Sequence, residues 1–83
     1  MTAVSTGALT ADTIIRPASE RGAVSYIESI GAAASLYDGT TASGILLTTL
    51  ASGDRVSFDP PVRFTGGLFL DWNTGGTVVV HIV

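Results

Sequence analysis

Eighty-three residues hold one domain, and with no cysteine among them neither disulfides nor thiolate metal sites are available to it. The chain is 46% hydrophobic and 13% charged, with four arginines, no lysine, a net charge of −3 and a mean hydropathy of +0.48. That balance excludes the clustered basic footprint of a nucleic-acid binder, and it leaves too little charge to keep a free monomer soluble, so much of the exterior is expected to be covered by neighbours.

No apolar stretch approaches the roughly 18–20 residues that span a bilayer, and Met1–Gly22 lacks the positive start and continuous apolar run of a signal peptide. The chain is therefore expected to be neither membrane-spanning nor secreted. Met1 to about Gly7 is small and polar and reads as the start of an arm, and Thr13–Arg16 is β-branched enough for a short strand. Pro17 closes that strand, having no N–H to give to a ladder. Over Ala18–Ile30 a helix competes with a strand; Val24, Ser25, Tyr26 and Ile27 between Gly22 and Gly31 favour the strand.

Ala32–Tyr37 continues as a strand with Ala32, Ala34 and Leu36 on one face, where small side chains imply a close, flat neighbour. Asp38-Gly39 is the strongest turn signal in the chain. Ile45–Leu50 follows, then a turn at Ser52-Gly53-Asp54, then Arg55–Asp59 with Val56 and Phe58 inward. Pro60-Pro61 marks an edge or a crossing between sheets, and Val62 and Phe64 share a face opposite Arg63. After Gly66-Gly67, Leu68, Leu70 and Trp72 share one face and Phe69 and Asp71 the other. Asn73–Gly76 reads as a hairpin loop. The last strand, Thr77–Val83, is apolar on both faces apart from His81, which requires it to be central or covered. This rhythm predicts an all-β fold, a small β-sandwich or jelly-roll-like barrel of about seven or eight short antiparallel strands. Residues 1–21 are expected as an N-terminal arm with a short strand, and residues 22–83 as the sandwich domain.

Reactive groups are scarce. His81 is the one histidine, and no serine stands in a nucleophile-elbow context, so a triad has little support. One histidine without cysteine would leave zinc to carboxylates and water. Asp38 and Asp54 lack the repeated acidic spacing of a calcium loop and read as turn residues. Gly66-Gly67 and Gly75-Gly76 precede no helix that could hold a phosphate. No enzymatic activity and no cofactor are expected. Trp72, Phe69 and Tyr37 are the aromatics to weigh as a ligand platform. Trp72 either caps the core at a strand end, anchors an interface or stacks on a sugar. The four arginines suit bidentate contacts to a partner's carboxylates or plain surface solvation.

The segment Ala32–Leu50, AAASLYDGTTASGILLTTL, with Phe58, Phe64-Thr65-Gly66-Gly67-Leu68 and the terminal TVVVHIV, resembles a recurring small virion protein of tailed bacteriophages. The resemblance covers roughly the last two-thirds of the chain and leaves Met1–Gly22 unmatched. It implies a head decoration (cement) protein on the outer capsid surface, made in the host cytoplasm and often trimeric. Its partners would be the major capsid protein and further copies of itself, with no nucleic acid and no membrane. A neck or tail adaptor and a carbohydrate-binding attachment module are the alternatives. The candidate partner contacts are Ile14, Ile15 and Arg16 in the arm, with Phe69 and Trp72 further along.

Overall fold

The computed structural model describes residues 4–83 and arranges them as eight strands with no helix among them. These are β1 (Val4–Ser5), β2 (Thr13–Arg16), β3 (Gly22–Ile30), β4 (Ala33–Asp38), β5 (Ile45–Leu50), β6 (Arg55–Phe64), β7 (Leu68–Thr74) and β8 (Thr77–Ile82). Every pairing is antiparallel and the pairs are nested: β4 with β5, β3 with β6, β2 with β7 and β1 with β8. They are the successive rungs of one long hairpin whose tip is the loop after Asp38. Rolling that hairpin up adds β3 beside β8 and β4 beside β7. The result is two four-stranded sheets, sheet I in the order β1-β8-β3-β6 and sheet II in the order β2-β7-β4-β5. This is the strand order of a jelly roll, so the expected all-β sandwich is present.

Alternation of apolar and polar residues fills the space between the sheets. Val24, Ile27, Phe64, Val78, Val80 and Ile82 enter from sheet I, and Ala34, Leu36, Leu50, Leu68 and Leu70 from sheet II. Ala32 and Ala34 are both buried, and Leu36 beside them is fully so, which places the small side chains on the inward face as their spacing predicts. Ser29 is the buried polar side chain of this core, and its hydroxyl donates to the Ala32 carbonyl where the chain passes from β3 to β4. β8 lies between β1 and β3, the central position that its two apolar faces require.

β6 is an edge of sheet I, and Pro60-Pro61 explains its irregularity. Val24 pairs with Val62 and Tyr26 with Ser57, so the four residues 58–61 of β6 stand opposite Ser25 alone. Two prolines without N–H groups cannot continue a ladder, and the strand bulges around them.

Two expectations change. Asn73–Gly76 is no hairpin loop, because β7 belongs to sheet II and β8 to sheet I. Every connection except β4–β5 carries the chain across the sandwich. The residues 4–16 of the expected arm lie within the sandwich: β1 pairs Val4 with Ile82, Leu9 bridges Val78, and β2 pairs along β7. Further bonds hold this stretch in place, from the Thr6 N–H to the Val80 carbonyl at 2.9 Å and from the Trp72 N–H to Asp12 Oδ1 at 2.8 Å. The physical reason is that β8 and β7 would otherwise be edges, and β1 and β2 satisfy their outer backbone groups. The start of the expected arm, Met1–Ala3, lies outside the described residues.

Candidate interaction face

The two outer faces of the sandwich differ in chemistry. On sheet I, Glu28 stands between Val79 and Arg55, and Tyr26 between His81 and Ser57. Arg55 Nε lies 3.3 Å from Glu28 Oε2, and the Tyr26 and His81 rings are 5.2 Å apart between centroids, tilted by 48°. The middle of this face is therefore paired and largely polar, with Val79 beside Glu28 and Ile30 56% exposed where β3 ends.

Sheet II carries an apolar row across its whole width. Leu68 and Leu70 of β7 and Leu36 of β4 are fully buried, so the two-residue period turns Phe69 and Tyr37 outward. Cross-strand register then aligns four side chains, one from each strand. Ile14 of β2 faces Phe69 of β7, Phe69 faces Tyr37 of β4, and Tyr37 faces Leu46 of β5. At the usual strand separation of about 4.8 Å, this row runs roughly 14 Å straight across the sheet. Its ends are open to solvent, with Ile14 56% and Leu46 51% exposed, and Ile45 beside Leu46 is 71% exposed. The neighbouring row, Asp71, Ser35 and Thr49, is polar. An apolar row bordered by a polar one is the layout of an interface core with its rim.

The structure sorts the five candidate contacts. It brings Ile14 and Phe69 together as direct cross-strand partners. The two-residue period turns Ile15 the other way from Ile14, half-buried against the core. Arg16 is half-buried, and its guanidinium donates to the adjacent Ile15 carbonyl at 2.9 Å, a local contact. Trp72 shares the inward face of Leu68 and Leu70 and packs on the core, and its indole Nε1–H donates to the Gly76 carbonyl at 3.3 Å. It caps the core where β7 ends, and the row across sheet II does not include it.

Leu46 extends the face beyond the five candidates. Its signal in the sequence is the run Ile45-Leu46-Leu47, since three consecutive apolar residues in a strand cannot all point inward.

Away from this face, a groove of about 470 Å³ opens beside the β6 bulge, with Arg21 and Arg63 among its lining residues and Pro60, Pro61 and Phe64 on its apolar side. Among the described residues, no three His, Cys, Asp or Glu side chains gather in a way that could hold a metal ion. Comparisons with protein families, with curated proteins and with solved structures find no match to this chain.

Proposed function

We propose that this chain is a structural virion protein of a tailed bacteriophage, a decoration protein that docks the outer face of sheet II onto the assembled head and stabilises it. The observation that carries this reading is the apolar row Ile14–Phe69–Tyr37–Leu46 across the outer face of sheet II, half-buried at its middle and exposed at both ends, where the other face is paired at its middle through Arg55–Glu28 and Tyr26–His81. The residue pattern through Leu36-Tyr37-Asp38-Gly39, Phe64–Leu68 and the valine-rich end supports the choice of phage virion proteins. The jelly roll recurs in virion proteins but also in lectins, so the fold alone does not decide.

The size of the face suits this role. The molecule measures 29 × 26 × 18 Å, and its broad side is of the order of the 800 Å² that one partner contributes to a standard protein interface. Mechanistically the chain acts by mass action. A protein that binds the assembled lattice and not its separated subunits stabilises the lattice by about 2.7 kcal/mol per site at a free concentration one hundred times its dissociation constant.

A sugar platform fits the face less well. Trp72, the largest aromatic side chain weighed as a platform, is committed to the core and is missing from the face.

The expected result in purified particles is a copy number in the hundreds, read by quantitative mass spectrometry against the major capsid protein. A few dozen copies or fewer would move the chain to the neck or tail. Absence from particles would end the virion reading.

A further inference from the structure

We infer that β5 is a strand-pairing edge and that its occupant is β5 of a second copy of this chain, joined antiparallel about a two-fold axis. This stands apart from the phage-head reading, because it follows from how the four sheet edges are built.

An open sheet edge exposes unpaired N–H and C=O groups, and proteins blunt such edges with shortness, proline, charge or bulges. The jelly roll has four edges: β1 and β6 on sheet I, β2 and β5 on sheet II. β1 covers two of the described residues. β2 has four residues, ends in Arg16 and is followed by Pro17. β6 carries Arg55, Asp59 and Arg63, two prolines and the wide bulge. Three edges are therefore closed to further pairing.

β5 is built differently. Its sequence, Ile45-Leu46-Leu47-Thr48-Thr49-Leu50, contains no charge and no proline, and among the described residues it pairs with β4 alone. It carries one extra residue at Leu47, which leans onto the core; this adds twist but removes no N–H group. Ile45 and Leu46 are 71% and 51% exposed on this strand. A neutral, β-prone six-residue segment left open in this way is a template for another strand.

The closed state of the other three edges selects the occupant. If two copies extend one another's sheets, β5 can meet only β5. Such a contact uses the same patch on both sides, so it is isologous and closes as a dimer without growing into a fibre. A segment without charge meets its own copy without like-charge opposition. The apolar row also ends at Leu46 on this edge, so pairing carries it into a continuous eight-stranded sheet and covers Ile45 and Leu46.

Sedimentation equilibrium of the full chain tests this. The expected mass is twice the 8.5 kDa of one chain, and the double variant Ile45→Lys/Leu46→Lys is expected to sediment as a folded monomer. Hydrogen exchange on the unaltered protein guards against a variant that fails to fold. The β5 amides are expected to exchange about tenfold more slowly at concentrations where the dimer forms than at dilutions where it separates, while β6 amides hardly change. A monomer at several hundred micromolar, a trimer, or a dimer whose β5 exchange ignores concentration would overturn the inference.

Discussion

Replacing Phe69 with Asp is expected to lower the chain's affinity for expanded phage heads by about a hundredfold while leaving a folded protein. Phe69 sits mid-row between Ile14 and Tyr37, where an interface would exclude water. Losing a central aromatic contact typically costs about 2 kcal/mol or more, and an unpaired carboxylate stranded in the contact adds to it. A total of about 3 kcal/mol corresponds to that hundredfold change. The fold loses much less, because Phe69 points away from the core and its cross-strand pairs contribute roughly 0.2–1 kcal/mol each. The control is Tyr26→Asp on sheet I, which should leave head binding unchanged. Cosedimentation with expanded heads reads both variants, and equal losses would mean that the sheet II face has no special role.

The largest expected loss of stability comes from Gly76→Ala. Gly76 carries the chain from β7 in sheet II to β8 in sheet I with φ at +69°. A side chain there meets a left-handed cost of roughly 1–2 kcal/mol. Its Cβ would also press on the Ile30 carbonyl oxygen, come within 2.5 Å of the Gly31 carbonyl carbon and lie 2.8 Å from the Ala32 nitrogen. Those are backbone atoms of the neighbouring crossing and cannot rotate away. The combined cost is expected to reach about 3 kcal/mol or more, comparable to the whole stability of a disulfide-free domain of this size. Gly53→Ala separates the two contributions. Gly53 has φ of +85°, and a methyl group added there would meet nothing within 4 Å, so it should lose only the conformational part. Urea melts of the two variants check this, and similar midpoints would contradict the steric argument.

These two glycines illustrate what local sequence conveys. Glycine-rich turns and two-residue alternation place β3 to β8 closely, because strand ends depend on φ preferences and strand faces on the pattern of apolar side chains. The same reasoning predicts that Ala32, Ala34 and Leu36 face inward and that β8 is central. It does not distinguish a hairpin from a crossing at Asn73–Gly76, because both need the same turn residues. Which sheet receives the next strand depends on how the long hairpin rolls, a non-local property. β1 is illegible for a related reason, since two small residues carry no periodicity and their pairing with Ile82 and His81 comes from the far end of the chain.

The candidate face is partly legible. Ile14 and Phe69 stand out by residue type, but their meeting depends on the β2–β7 register. Trp72 shares a strand face with Leu68 and Leu70, and that alternation alone points it inward. Deleting residues 1–21 to test attachment would remove an edge strand from each sheet, so point changes on the outer face are the cleaner probe.

The most direct measurement is hydroxyl-radical footprinting of the chain free and bound to expanded heads. Aromatic side chains on both faces report in one experiment. Phe69 and Tyr37 are expected to become protected on the heads while Tyr26 and His81 stay as reactive as in the free protein. Protection of Tyr26 and His81 with Phe69 and Tyr37 left reactive would contradict docking through sheet II.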